Sequence, residues 1–319
     1  MKFLVTGGAG FIGSSVTDRL LARGDSVVCL DNFDEYYSPA IKRRNLEGAL
    51  KDKNFKLIEG DIRDLDLLKG IFASEGIDMI FHPAARAGVR PSIVDPMLYE
   101  DVNIKGTMNL LEMCKEHKTK GFIFASSSSV YGKNKKVPFS ESDSVDNPIS
   151  PYAATKKACE LICYTYHHLY NINVTCLRFF TVYGPRQRPE MAIHKFTRLI
   201  DEGKPIPMFG DGLSKRDYTY IDDIVDGVLK AIDHNVPYDI FNIGESQITE
   251  LRELIGYIEK YLGKKAVIDR LPDQPGDVPI TYADITKSRK VLGYDPKTKA
   301  EEGVKKFMEW YKENREFLK

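Results

Sequence analysis

The segment TGGAGFIG, residues 6–13, constrains the fold of this chain more than any other feature of its sequence. It follows an apolar run with strand character and leads into an amphipathic stretch that begins at Phe11. Gly7, Gly10 and Gly13 let the backbone turn tightly and approach a bound group, while the amides at the start of a helix attract an anion. A strand, a glycine turn and a helix in this order predict a pyrophosphate site at the N-terminus of the first helix.

Asp31, at the end of the second predicted strand SVVCLD, extends this site to a dinucleotide. A carboxylate there accepts hydrogen bonds from both hydroxyls of an adenosine ribose and repels the extra phosphate of NADP. We therefore predict NAD as the cofactor. Further cofactor contacts are expected near the first helix and at later strand ends, from Phe11, Ile12, Asn32, Asp61, Ile62, Pro83, Ala84, Ala85 and Asn103. For Asp61 and Ile62 an ordinary strand terminus is an equally good explanation.

The chain alternates short β-branched runs with longer amphipathic stretches up to about residue 180. Such alternation predicts an α/β fold with a doubly wound parallel sheet covered by helices on both faces. After INVTCLRFF, the last clear core strand, the sequence becomes richer in Pro, Gly and charge, and strand or helix patterns return only in pieces. We predict a cofactor domain over residues 1–182 and a smaller α+β substrate lobe over residues 183–319.

The composition excludes several classes of partner. Lys plus Arg and Asp plus Glu number 46 each, so no global field attracts nucleic acid or an anionic membrane. The apolar run at residues 1–6 is too short for a signal peptide or a membrane span, and we expect a cytoplasmic protein. The five cysteines and six histidines lack the spacing of metal ligands, and no metal site is predicted.

A tyrosine followed four residues later by a lysine occurs three times, starting at Tyr131, Tyr152 and Tyr261. Only Tyr152 lies in a sustained helical period, where positions i and i+4 share a face, and it follows the serine run Ser126–Ser129. An ammonium at Lys156 lowers the pKa of a nearby phenol, which favours Tyr152 as a general acid and base. The serine run then supplies a bridging hydroxyl, although serine-rich strand ends are often simple turns.

The glycine turn, the strand end SSSSVYG and the helix start YAATK together resemble the extended short-chain dehydrogenase/reductases, which rework nucleotide sugars on a Rossmann sheet. The resemblance covers essentially the whole chain. It implies Ser127 and Tyr152 as the catalytic pair, with Lys156 as partner of the tyrosine and ligand of the nicotinamide ribose. Dehydratases and decarboxylases of this superfamily usually carry an acidic residue before VYG, where this chain has Ser128 and Ser129. The missing carboxylate favours epimerisation through a transient ketone.

The same resemblance implies substrate ligands in the second half of the chain. Arg216 is expected on the diphosphate, Phe209 against the uracil and Asp277 on the nucleotide's ribose. A surface salt bridge remains an alternative for Arg216, and a core position for Phe209. Within the family, many relatives have Leu and Gln where this chain has Pro83 and Arg86, which leaves details of the cofactor loop open.

The segment RFFTVYGPRQRPEMA resembles UDP-glucuronate 4-epimerases, with Thr181 where hexose epimerases and decarboxylases usually have Asn. Thr181, Ser128 and Ser129 then offer neutral donors to a carboxylate, while Arg188 and Arg90 add positive potential. The resemblance implies interconversion of UDP-glucuronate and UDP-galacturonate with tightly bound NAD, by a homodimer paired through helices at residues 97–116 and 152–170. Alternatives are a UDP-glucose 4-epimerase, a UDP-glucuronate decarboxylase and a non-catalytic NAD-sensing protein.

Overall fold

The computed structural model describes residues 1–272 and 278–318, and parallel strands run through its centre. In chain order the strands of these ranges are β1 (Lys2–Thr6), β2 (Ser26–Asp31), β3 (Phe55–Glu59), β4 (Met79–His82), β5 (Gly121–Ser127), β6 (Val174–Phe179), β7 (Thr181–Tyr183), β8 (Ile206–Phe209), β9 (Lys215–Arg216), β10 (Tyr218–Tyr220), β11 (Tyr238–Ile243), β12 (Thr249–Glu250) and β13 (Ile268–Leu271). Seven of them form one parallel sheet in the order β11-β6-β5-β4-β1-β2-β3. The predicted doubly wound α/β class is confirmed.

Helices cover both faces of this sheet. They are α1 (Phe11–Ala22), α2 (Pro39–Asn45), α3 (Leu65–Glu75), α4 (Val89–Val94), α5 (Pro96–Tyr99), α6 (Gly106–His117), α7 (Pro151–Tyr170), α8 (Ala192–Asp201), α9 (Ile221–His234), α10 (Leu251–Leu262), α11 (Thr286–Leu292) and α12 (Ala300–Leu318). Successive residues of a strand point to opposite faces, so Phe3 and Val5 pack with α1 and α9 while Leu4 packs with α3, α6 and α7. None of the helices within the described residues is long and apolar enough to cross a bilayer.

Helix α7 begins at a position fixed by its sequence. The Ser150 side chain accepts a hydrogen bond from the Ala153 amide at 3.1 Å, and Pro151 occupies the first turn, where its missing N–H has no cost. The helix ends at Asn171, which adopts the left-handed conformation. These two caps fix where the twenty residues of α7 lie along β5, and therefore where Tyr152 and Lys156 stand.

A buried ion pair joins α7 to the sheet. The Arg178 guanidinium of β6 donates to both carboxylate oxygens of Glu160 at 2.9 Å, and each side chain is only 1% exposed. The Ser126 hydroxyl donates to the same carboxylate at 2.7 Å, and Tyr131 is bonded to Arg178 at 3.1 Å. The Ser126 hydroxyl and Glu160 therefore hold the end of β5 against α7, beside the cleft that Ser126 and Ser127 both line.

Two elements differ from the sequence prediction. Strand β11 lies beyond residue 183 yet pairs with β6 over its whole length, so the chain returns to the large sheet after entering the second lobe. The predicted continuous helix at 97–116 is interrupted by a π-helical stretch at Glu100–Lys105. There the Thr107 hydroxyl donates to the Asn103 carbonyl at 2.6 Å, competing with the regular helical bond.

The second lobe contains three two-stranded sheets, which pair β7 with β10, β9 with β12 and β8 with β13. Asp217 connects several of its segments. Its fully buried carboxylate accepts backbone N–H bonds from Glu245 at 2.8 Å, Ser246 at 3.1 Å and Ala283 at 3.0 Å. The Asp217 carbonyl in turn accepts the Thr181 amide at 3.1 Å. This residue therefore fixes the second lobe against the end of the large sheet.

Candidate functional site

A cavity of about 520 Å³ opens at the carboxyl ends of β1, β2, β4, β5 and β6, where doubly wound sheets bind their ligands. Most of the residues predicted for the cofactor and the substrate line it, and these are Gly7, Gly10, Phe11, Ile12, Gly13, Asp31, Asn32, Asp61, Ile62, Pro83, Ala84, Ala85, Ser127, Ser128, Ser129, Tyr152, Lys156, Thr181, Arg188 and Arg216. The structure therefore brings both predicted half-sites into one cleft.

The glycine turn leaves no room for side chains. Gly7 has a φ of +59°, and a Cβ on it would stand 2.9 Å from the Cα of Ala84. A Cβ on Gly13 would stand 2.2 Å from the carbonyl oxygen of Gly7. Gly10 precedes α1 without a side-chain cap, so the amides of the first helical turn remain available to a ligand. The turn is therefore a cradle of backbone for an anionic group.

Asp31 and Asp61 form the end of the cleft that the sequence assigns to adenosine. The buried Asp31 carboxylate accepts the Ala9 and Phe33 amides at 3.0 and 2.9 Å, while burial raises its pKa. Each of its oxygens keeps a second lone pair for a ribose hydroxyl. Burial also raises the pKa of Asp61, but hydrogen bonds from Arg63 and Asn32 outweigh this and bring it to about 2. Asp31 can therefore accept hydrogen bonds from a nucleoside, whereas the Asp61 carboxylate already accepts four, from Arg63 and Asn32.

The cleft fits a dinucleotide. Besides the cradle, it contains the Tyr37 hydroxyl, which is buried without a hydrogen-bond partner and lies 3.9 Å from the place a Gly10 Cβ would take. A buried polar atom without a partner is costly, and a ligand hydroxyl or phosphate at this place would satisfy it. The residues present therefore suit NAD, and Asp31 would hold the adenosine while the cradle holds the pyrophosphate.

Ser127, Tyr152 and Lys156 meet at the opposite end of the cleft. The Ser127 hydroxyl lies beside the Tyr152 phenol, where it acts to lower the pKa of that phenol, and it accepts the Ser129 amide at 3.2 Å. The Lys156 ammonium donates to the Ala125 carbonyl at 2.7 Å, and burial lowers its pKa to about 8. A hydroxyl, a phenol and an ammonium in this arrangement can move one proton to or from a bound alcohol.

The expectation that Lys156 brings the pKa of Tyr152 below its ordinary value is wrong. Burial raises the pKa of Tyr152, against the lowering effects of the Ser127 hydrogen bond and the Arg188 charge. The Lys156 ammonium is directed to the Ala125 carbonyl, and desolvation of the phenol outweighs the charges around it. Burial therefore favours the protonated form of the Tyr152 phenol.

Three neutral hydroxyl groups line the same end of the cleft as Ser127 and Tyr152. Ser128 and Ser129 belong to a 3₁₀ turn that follows β5, and Thr181 begins β7 opposite them. The Ser129 hydroxyl oxygen is buried without a hydrogen-bond partner. The only carboxylates among the described residues that line the cleft are Asp31, Asp34 and Asp61, all of which follow β2 or β3. The Tyr152 end therefore presents neutral donors to a ligand.

The remaining predicted residues lie elsewhere. Asn103 is buried, and its amide donates to the Arg86 carbonyl at 3.1 Å instead of reaching the cleft. Arg90 lies over the Phe209 ring at 4.3 Å from the centroid, and neither lines the cavity. Arg216 does line it, with a guanidinium bond to the Lys215 carbonyl at 2.9 Å. Asp277 lies outside the described residues.

Sequence analysis missed several residues that line the cleft, namely Asp34, Tyr36, Tyr37, Lys42, Phe180, Met191, Val278 and Thr281. Those at positions 34–42 come directly after the carboxyl end of β2, which is a general signal for ligand contact in such sheets. The Lys42 ammonium donates to the Asp34 carbonyl at 2.5 Å, and burial lowers the pKa of Lys42.

Over the described ranges, no group of three or more acidic, His or Cys side chains is placed to hold a metal ion.

Comparison with known proteins gives consistent likenesses over the whole chain. The family model described as GDP-mannose 4,6 dehydratase matches residues 4–307. An uncharacterized protein of Methanocaldococcus jannaschii is 46% identical, with 99% of this chain and 98% of the relative covered. A UDP-glucuronate 4-epimerase of Thermodesulfobacterium geofontis is 44% identical, with the same shares covered. The crystal structure of a Bacillus cereus UDP-glucuronic acid 4-epimerase with UDP-glucuronic acid and NAD has 38% identity and a TM-score of 0.90, covering 98% of this chain and 99% of that one.

Substitution of Gly13 tests whether the glycine turn binds the cofactor. In Gly13→Ala the added Cβ meets the Gly7 carbonyl, so we expect the turn to open and the purified protein to lose its bound NAD, quantified after acid release. Gly70→Ala is the matched control, because Gly70 is also helical and nothing lies within 4 Å of its Cβ position. It should keep its NAD and gain about 0.8–1 kcal/mol in unfolding free energy. Wild-type NAD content in Gly13→Ala would contradict the cradle.

Proposed function

The chain belongs to the NAD-dependent nucleotide-sugar epimerases of the extended short-chain dehydrogenase/reductase family, and on that premise we propose that it interconverts UDP-glucuronate and UDP-galacturonate. The observation that carries the proposal is the Tyr152 end of the cleft, where the hydroxyl groups of Ser128, Ser129 and Thr181 stand without a carboxylate from any described residue. The two named relatives act on the same sugar acid, which supports the assignment.

The proposed reaction needs one acid and base. When bound, NAD accepts a hydride from C4 of the sugar and later returns it to the opposite face. Tyr152 takes the proton of the C4 hydroxyl and gives it back, while Ser127 orients that hydroxyl towards the phenol. Lys156 would hold the nicotinamide ribose, and the Arg188 charge opposes the rise in pKa that burial gives Tyr152. Positioning of this kind contributes roughly 7–11 kcal/mol in favourable cases, and acid/base help about two to four decades.

The sugar carboxylate makes the reaction difficult to control. Oxidation at C4 of UDP-glucuronate gives a β-keto acid, which loses carbon dioxide when the breaking bond stands perpendicular to the ketone plane. In the proposed site, Thr181, Ser128 and Ser129 donate hydrogen bonds that hold the carboxylate near that plane. The unpartnered Ser129 hydroxyl supports this role, since a carboxylate oxygen would satisfy it. Neutral donors also let the ring turn over, whereas a bidentate arginine would anchor one face.

The matching family model is named after a dehydratase, and the site favours a different reaction. Dehydration and decarboxylation in this superfamily use an acidic residue beside the catalytic serine to move a second proton. Here Ser128 and Ser129 take those places, and the carboxylates that described residues contribute to the cleft lie at the adenosine end. The proposed epimerase uses no second proton acceptor.

We also propose that the protein is a homodimer paired through α6 and α7. Leu161, Tyr164 and Leu169 of α7 are 57%, 51% and 59% exposed, and Met108 of α6 is 42% exposed. Exposed apolar side chains on neighbouring helices are typical of a protein interface. A second copy of the same two helices is the partner that the family resemblance implies.

A panel of UDP-sugars tests the proposed function. Purified protein without added cofactor should convert UDP-glucuronate to UDP-galacturonate, separated by chromatography, with no steady rise in NADH absorbance, because the hydride returns in each cycle. UDP-glucose and UDP-xylose should react far more slowly. NADH accumulating in step with product would identify a dehydrogenase, and UDP-xylose or a 4-keto-pentose as the main product would identify a decarboxylase.

Substitution of Thr181 tests control of the carboxylate. A hydrogen bond to a charged group is worth about 1.5–3 kcal/mol, so Thr181→Val should slow epimerisation and raise the decarboxylated fraction by roughly one to two decades. Thr197→Val is the matched control, because it makes the same chemical change at a buried hydroxyl that has no hydrogen-bond partner and lies on α8, away from the cavity lining. A Thr181→Val enzyme that is slower with an unchanged product ratio would refute the restraining role.

A further inference from the structure

The Tyr36 side chain lies between two guanidinium groups. Arg86, from the loop after β4, stands 4.7 Å from the centroid of its ring, and Arg188, from the loop after β7, stands at 5.5 Å. Cations at these distances are attracted by the ring's quadrupole. We call these three residues the Tyr36 clamp.

Each arginine of the clamp is held by other contacts. Arg86 forms an ion pair with Asp34, and its backbone amide donates to the Asn103 side chain at 2.7 Å. The Arg188 guanidinium lies 3.2 Å from the Glu190 carboxylate. These contacts fix the two guanidinium groups, so the position of the Tyr36 ring is set by loops that are distant in sequence.

The clamp joins three segments around the cofactor half of the cleft. Tyr36, Arg86 and Arg188 all line the cavity. The Tyr36 hydroxyl lies against Gly88, where a Cβ would stand 2.9 Å from it, and the neighbouring Tyr37 hydroxyl lies near Gly10. The loop after β2 therefore extends from the glycine turn to the loop after β4, along the side of the cleft where the pyrophosphate would be bound.

We propose that Tyr36, held by Arg86 and Arg188, is a positioning residue that retains NAD in the cleft between catalytic cycles. The proposal rests on the proposed function only in assuming bound NAD. An epimerase that recovers its cofactor in every cycle has no reason to release it, whereas an open cleft would lose it between encounters with substrate. Tyr36 connects the loop after β2 to the loops that carry Arg86 and Arg188. It takes no part in the proton transfer, in which Tyr152 moves the proton and Ser127 orients the hydroxyl.

The test is the rate at which NAD leaves the protein in the absence of any UDP-sugar, measured by trapping released NAD with an excess of a second dehydrogenase. Tyr36→Ala should release NAD about tenfold faster, the scale of losing one or two cation–π contacts. Tyr36→Phe keeps the ring and should behave like wild type. At saturating NAD, Tyr36→Ala should still bind one NAD per chain and melt as cooperatively as wild type, which a general structural defect would not allow.

Arginine variants separate the clamp from direct binding of the cofactor. Arg86→Gln should also release NAD faster, and high salt should speed release from wild type more than from this variant. Arg43→Gln is the matched control, because Arg43 likewise pairs with a carboxylate, Glu59, and lies over a ring, Phe33, but does not line the cavity. Tyr36→Leu replaces Tyr36→Ala if melting curves show misfolding.

Equal release rates in wild type and in Tyr36→Ala or Tyr36→Leu would overturn the proposal. Faster release from Arg86→Gln alone would overturn it as well, since Arg86 would then act directly on the phosphates. Because no UDP-sugar is present, these outcomes do not depend on which sugar the enzyme converts.

Discussion

The buried pair of Glu160 and Arg178 is the interaction on which the site most depends. Removing each of these charges from water costs several kcal/mol. Their mutual attraction offsets this cost only when the geometry is good and further hydrogen bonds satisfy the remaining donors and acceptors. Here the guanidinium binds both carboxylate oxygens, and Ser126 and Tyr131 complete the network. The pair fixes α7 in one position against β5 and β6. That position places Tyr152, which also belongs to α7, beside Ser127 at the end of β5.

Burial is the main influence on the pKa values of Tyr152 and Lys156 at the catalytic end of the cleft. The same packing that places Tyr152 removes its phenol from water and raises its pKa, and it lowers the pKa of Lys156 to about 8. A phenol with a raised pKa holds its proton until positive charge arrives. In the proposed acid/base cycle the Arg188 charge favours the phenolate, and the positive charge of a bound nicotinamide would add to it.

The sequence predicted those parts of the site whose signal is local. The glycine turn, Asp31 and the helical spacing of Tyr152 and Lys156 each depend on a few adjacent residues and a strand or helix boundary. The pKa of Tyr152 was wrongly predicted because desolvation depends on the whole surrounding structure. The Tyr36 clamp joins loops that are about 50 and 100 residues apart in sequence, and Phe209 packs under Arg90 from another lobe. Strand β11, YDIFNI, was missed because it is short, is interrupted by Asp239 and Asn242, and pairs with β6, which is distant in sequence.

The central claim is that one hydride leaves C4 of the sugar, stays on the enzyme and returns to the other face of the same carbon. UDP-glucuronate labelled with deuterium at C4 tests this most directly, with the product examined by mass spectrometry and NMR. The account predicts UDP-galacturonate that retains the deuterium at C4, and no deuterium entering C4 from heavy water when unlabelled substrate is used. Loss of the label to solvent during epimerisation would contradict it, because the hydrogen would then have moved as a proton.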